Sequence, residues 1–300
     1  MQQDPQRKSL MRIFKIYWII PLIFTCLLGV SLVHYLGGNL DFINIVLGII
    51  ICLLMFAMRL FLNAYFDHPD SLTSALSRED KQWEILKGVK RSLLLQISLL
   101  VLTAGAAVTV ILISRQALSP SGLLFLGLAL LGYFFCATPP LRLDRTGYGD
   151  LVEGVVTVNL VPAFLVSLQK MDIPVLLLQL TLPLFLIYMA AKIMFAFKEY
   201  GFDSMQGRRS LVTLIGWKNS VVLHNVFILG AFVLVGAFLL GGVPWSLSWP
   251  VLLVLPMGVF QVWQMLRVSD GGKPGWKLLL WTAMGLVLLM AYLIQVSLWS

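Results

Sequence analysis

The sequence predicts an all-α polytopic membrane helix bundle of about nine transmembrane helices, a single domain spanning residues 1–300. Three observations carry this. Of 300 residues, 59% are hydrophobic and 12% are charged, about half the charge of an ordinary soluble domain. The apolar runs reach the roughly 20 residues that a helix needs to cross a bilayer. Strand alternation appears nowhere, and lipid offers an open strand no hydrogen-bond partners.

The runs place spans at about 12–36, 42–62, 92–113, 121–137, 151–168, 174–196, 220–241, 248–266 and 278–298. The start, MQQDPQRKSLMRIFK, is basic and leads into a full-length apolar run without a small-residue cleavage site, so it is expected to be a retained first helix rather than a cleaved signal. Between spans, alternate loops hold 18 of the 22 lysines and arginines, while Arg115 and Lys170 lie on the other face and Arg59 and Lys192 inside spans. Positively charged loops resist translocation. The amino terminus is therefore expected in the cytoplasm, the carboxyl terminus outside, and the chain in the cell inner membrane.

The net charge of +8 does not point to nucleic acid, because the basic residues sit in short loops rather than along one soluble face. The lipid bilayer is the expected partner. Cys26, Cys52 and Cys136 fall in apolar stretches without metal-ligand spacing, which excludes a zinc or disulfide framework and leaves them as packing residues.

The long cytoplasmic loops 63–91 and 197–219, with 138–150 between them, are the expected site. In Asn63-Ala-Tyr-Phe-Asp67-His-Pro-Asp70, positions 63, 67 and 70 share one face if the helix continues, and that face can hold a divalent cation through oxygen ligands; the alternative is a helix end entering solvent, with Pro69 ending it. The segment Lys198-Glu199-Tyr-Gly-Phe-Asp203, followed by Gly207-Arg208-Arg209-Ser-Leu, puts two acids four residues apart among cations, suited to a metal-bound phosphate or to an intrahelical ion-pair network. Thr138-Pro-Pro-Leu-Arg142-Leu-Asp144-Arg145 is a shaped loop in which Arg142 either grips phosphate or serves only as a topology signal. Residues 76–91 have helical periodicity and read as an amphipathic lid or a plain surface helix. Lys192 is expected to snorkel, and His34, His68 and His224 to be non-catalytic.

Together, Asn63…Asp67, the PPLRL loop and Glu199-x-x-x-Asp203 before Gly207-Arg-Arg-Ser-Leu resemble the UbiA-type membrane prenyltransferases, over essentially the whole chain. That family's first motif reads N-D-x-x-D-x-x-x-D and its second D-x-x-D-x-x-x-D. Here Ala64 and Ser71 replace aspartates of the first, Ala196 replaces the first acid of the second, and Asp144 stands where a basic residue is usual.

The resemblance implies a prenyl transferase that moves a prenyl group from a polyprenyl diphosphate donor to a small hydrophobic acceptor, in the synthesis of a quinone, an isoprenoid lipid or a related product. It implies Mg2+ as cofactor, held by Asn63, Asp67, Asp70, Glu199 and Asp203, with Asp67, Glu199 and Asp203 catalytic. Arg142, Lys198 and Arg208 are the implied diphosphate contacts. Tyr65 and Tyr133, with Phe66, Phe134 and Phe195, are expected to line the prenyl pocket. A catalytically impaired relative that binds lipid diphosphates is the alternative, and a small-solute transporter is a third reading. No motif encodes acceptor identity, donor length or oligomeric state.

Overall fold

The computed structural model describes residues 16–70, 86–205 and 209–300, with side chains apart from those of residues 16 and 202–205. After a 3-10 turn at Ile16–Trp18, the chain forms α1 (Ile19–Tyr35), α2 (Phe42–Phe66), α3 (Arg91–Ser114) and α4 (Pro120–Ala137). Three short helices follow, α5 (Leu143–Thr146), α6 (Gly149–Val155) and α7 (Val161–Leu168), with a π-helical turn at Val156–Leu160 between the last two. The chain continues through α8 (Val175–Met205), α9 (Leu211–Ile215), α10 (Trp217–Leu240), α11 (Trp245–Leu252), α12 (Leu255–Ser269) and α13 (Trp276–Trp299).

Among the described residues, eight segments are long and apolar enough to cross a membrane, and α1 is a shorter apolar helix of 17 residues. All nine expected spans therefore have a helical counterpart, and the protein is an integral, multi-pass membrane protein. The alternation of nine segments brings the ends of α2, α4 and α8 to the same side, called the motif end below.

Local chemistry sets the boundaries. Asp41 caps α2 by accepting hydrogen bonds from the backbone of Ile43 and Asn44, and Ser119 caps α4 just before Pro120, a residue preorganised for the first helical turn. Helix α2 runs four residues past its predicted end, which keeps Asn63 helical, and stops at Phe66. Pro69 disfavours helical backbone at His68 and has no N–H of its own to donate. Asp70 is thereby thrown off the face it was expected to share with Asn63 and Asp67. At 31 residues, α8 is about 46 Å long, so it outruns the hydrocarbon layer and carries Glu199 beyond it.

Two spans are interrupted. Gly149–Leu168 is a single span whose π turn precedes Pro162; the proline cannot donate to the carbonyl four residues back, so the ladder widens there. The span Trp245–Ser269 breaks at Leu253–Val254, ahead of Pro256. That break lies away from the charged cavity described next.

Helix α2 packs on α3, α4 and α7, α1 on α7 and α13, and α8 on α10 and α13. Cys26, Cys52 and Cys136 are free and buried, as the packing reading expects.

Candidate active site

A cavity of about 220 Å³ opens at the motif end between α2, the α5–α6 segment, α8 and the start of α1. Its rim carries Asp67, Arg145, Glu199 and Arg209, its middle Asn63, Ala64 and Ala196, and its deep end Arg59, Glu153, Lys192, Phe56 and Trp18. The depth order follows from helix geometry. Arg59 is two turns below Asp67 on α2, Lys192 two turns below Glu199 on α8, and Glu153 one turn into α6 from Asp150.

At the deep end, three spans contribute one buried ionic network. Glu153 Oε2 lies 2.6 Å from Arg59 Nη1 and 2.6 Å from Lys192 Nζ, and the Tyr188 hydroxyl donates to Glu153 Oε1 at 2.8 Å. Arg59 also grips Asp144 with two N–H groups, at 2.6 and 3.2 Å, and the Asn63 side-chain amide donates to the same carboxylate. Lys192 Nζ sits 3.9 Å from the centre of the Trp18 ring. The side chains of Arg59, Lys192 and Glu153 are at most 7% exposed. Charges this deep survive in lipid only when paired with one another.

The rim holds a second set. Asp67 accepts from Arg142 at 2.5 Å and from Arg145 Nε at 3.1 Å, and Arg145 reaches its other oxygen as well. Arg142 adopts left-handed backbone, φ 39°, uncommon for a residue with a side chain; the turn after Pro139-Pro140 is thus shaped to return the guanidinium to α2. Thr146 pairs by backbone with Arg209, which brings the segment after α8 onto the α5 loop. Ser210 then starts α9 with a reciprocal cap involving Thr213.

Several expected site residues meet in this cavity. Asn63, Asp67 and Glu199 line it, as does Phe195. Arg142 stands behind the lining and binds Asp67. Asp203 has no described side chain, and Arg208 and most of the 76–91 segment lie outside the described residues. From that segment, Leu86 is buried and lines the cavity.

Other expectations are corrected. The Asp70 side chain is 80% exposed and lies 3.5 Å from His68, because the helix ends before it. Lys198 is exposed and off the cavity lining, one residue round α8 from Glu199. The Tyr65 ring is covered by Arg91 at 4.3 Å. Tyr133 is fully buried behind Phe56, with its hydroxyl 2.9 Å from Thr157. Phe66 and Phe134 are absent from the lining; Phe134 is 39% exposed, and α4 turns it outward. Lys192 does not snorkel but pairs with Glu153. His34 stacks on Trp299 at 3.9 Å, His68 bonds the Val89 carbonyl, and His224 is buried beside Asn225.

The site residues missed from sequence are Glu153, Arg59, Asp144, Arg145, Asp150, Arg209, Tyr17, Trp18 and Phe56. A signal existed for some of them. Arg59 and Lys192 are cations within spans and Glu153 is an anion within a third, so mutual pairing was the economical inference.

Comparison with known proteins gives a consistent picture. The UbiA prenyltransferase family matches residues 22–282. A UbiA homolog from Archaeoglobus fulgidus, solved bound to GPP and Mg2+, is 15% identical with a TM-score of 0.61, over 95% of this chain and 99% of that one. The same homolog bound to DMAPP and Mg2+ gives a TM-score of 0.57 at 15% identity, again over 95% and 99%. A digeranylgeranylglyceryl phosphate synthase structure gives 0.66 at 14% identity, over 98% and 99%. No curated protein sequence matches the chain. With its motifs converging on one cavity and the family matched across most of its length, the chain belongs to the UbiA prenyltransferase family.

Proposed function

We propose that this protein transfers a prenyl group from a prenyl diphosphate to a small hydrophobic acceptor, at a cavity that opens to the cytoplasm. One observation carries the proposal: acids and cations from three distant segments, around Asp67, Arg145 and Glu199, meet at the rim of a cavity whose deeper lining combines the aromatic rings of Trp18, Phe56 and Phe195 with the paired charges of Arg59, Glu153 and Lys192.

The donor set suits a divalent cation that arrives with its substrate. Among the described residues no three His, Cys, Asp or Glu side chains form a protein-only metal cage, but Mg2+ in phosphate sites needs only one or two carboxylates besides phosphate oxygens and water. Asp67 and Glu199, with Asn63, are the residues that would hold it, and Asp203 is the sequence neighbour to add. When bound, the ion neutralises charge building on the departing diphosphate.

The protein's own residues supply the rest. Arg145 and Arg209 face the cavity as charge-assisted donors to a diphosphate, and Arg142 is joined to Arg145 through Asp67. As the allylic carbon–oxygen bond breaks, its electron pair leaves with the diphosphate. The acceptor's nucleophilic atom then bonds the allylic carbon and releases one proton. Trp18, Phe56 and Phe195 line the cavity and exclude water from the cation in between.

Purified protein incubated with Mg2+, labelled prenyl diphosphates and a panel of aromatic and lipid acceptors should form prenylated product, and Asp67→Ala should not. A second reading also has an observation behind it: Ala64 and Ala196, which replace motif acids, both line the cavity. Mg2+-dependent donor binding without diphosphate release would favour that impaired relative. Failure to bind any donor would end both readings.

A further inference from the structure

Resting on the prenyl diphosphate reading, we infer that the donor is short: the cavity takes a single isoprene unit, the C5 allylic diphosphates, and excludes long polyprenyl tails. The limit is built from charge and aromatic packing, not from a general lack of helices to hide in.

The diphosphate belongs at the rim, where Arg145 and Arg209 face the opening. Below it, the prenyl group has only the interval between Asn63 and the floor at Arg59. Four residues of helix make that interval about 6 Å, whereas one extended isoprene unit measures about 5 Å from ordinary carbon–carbon bond lengths. The floor does not yield cheaply. Arg59 and Lys192 are held against Glu153 at 2.6 Å each, and separating buried partners leaves a charge without compensation. Beneath lies solid core, with Cys52, Tyr133 and Tyr188 fully buried.

The side wall is shut as well. Tyr17 stacks on Phe195 with ring centres 5.0 Å apart, and Trp18 packs on the same ring at 5.3 Å. A tail cannot pass between the start of α1 and α8 without parting these rings. The whole cavity, about 220 Å³, is also smaller than the roughly 300–1,000 Å³ common for sites that enclose drug-sized ligands.

The test uses the full-length protein in lipid nanodiscs with Mg2+ and labelled inorganic diphosphate as the bound probe. Non-ionisable thiolodiphosphate analogues with C5, C10, C15 and C20 chains compete for it. An open apolar pocket binds longer chains more tightly, because each added unit buries more surface. Here the order should reverse, with the C20 analogue at least about tenfold weaker than the C5 analogue. Phe195→Ala, which removes the shared ring of the side wall, and Phe56→Ala, at the floor, should each recover binding of the longer analogues. C20 competing as well as C5, or both variants leaving the length order unchanged, would overturn the short-donor inference while the transferase reading stood. If neither inorganic diphosphate nor any analogue bound, the transferase reading itself would fall.

Discussion

At the motif end, α2, α6 and α8 stand apart around a cavity, and the charges they carry face one another. Across the bilayer the bundle closes. A Cβ on Gly29 would lie 2.6 Å from the Pro162 carbonyl oxygen, so α1 and α7 touch backbone to backbone. Asp41, Arg115, Asn44 and Gln169 tie three loops together at that surface, and Trp299 donates to Ser31 and stacks on His34. The difference teaches what each end is for. Replacing a buried ion network by apolar residues of equal volume is often neutral or stabilising, so closing a bundle does not in general call for a network such as Arg59–Glu153–Lys192, whereas a polar cavity floor does.

The comparison can be broken most directly at Glu153. Glu153→Gln removes the carboxylate that Arg59 and Lys192 share, leaving Arg59 to Asp144 and Lys192 to Asp150 at 3.5 Å, and should cost about 3 kcal/mol, the lower end for breaking a buried pair, read as a fall in the thermal or denaturant midpoint of the purified protein. A change within half a kcal/mol would show that the network bears no strain. Asp67→Ala, at the rim, should behave differently. Its partners Arg142 and Arg145 are 12% and 17% exposed, less enclosed than Arg59 and Lys192, so the loss of stability should be smaller than at Glu153 while turnover drops about 10²–10³-fold; a loss of folding with no selective loss of turnover would merge the rim with the core.

Two further variants probe the closed end. Gly29→Ala forces α1 from α7 and should cost about 1–3 kcal/mol without altering donor-length preference, and any change in that preference would couple the ends. The smallest effect belongs to Asp41. The backbone N–H of Asn44 and the Arg115 guanidinium hold its carboxyl below the ordinary value of 3.8. Because the folded group is the stronger acid, its contribution is present above the unfolded value and fades as pH falls through the folded one. Asp41→Asn should therefore flatten a small loss of stability seen only below about pH 4, and a flat wild-type profile there would remove the clasp from the account.

Much of the fold was legible because a lipid solvent allows so few solutions. Apolar run lengths located nine helical segments, and loop charge gathered Asn63, Asp67, Arg142 and Glu199 on one side before any coordinates. What escaped was what continuity of a helix decides. Asp70 looked aligned with Asp67 until the turn at Pro69, and Lys198 was expected to reach the diphosphate until α8 placed it off the cavity that Glu199 lines. Tyr133 looked like a pocket residue, as an aromatic of the span that leads into the PPLRL loop, but the layer of Phe56 and Arg59 stands in front of it.

The sequence by itself determined that this chain crosses the membrane many times and that its polar loops gather at one end, because hydrophobicity and charge act through composition and spacing along the chain. Only the tertiary structure decided that Arg59, Glu153 and Lys192 meet. They come from three spans with no local spacing between them, and electrostatic pairing in lipid depends on which helices are neighbours. The same packing set the depth of the cavity and closed its side with Tyr17, Trp18 and Phe195, a volume that no single segment encodes.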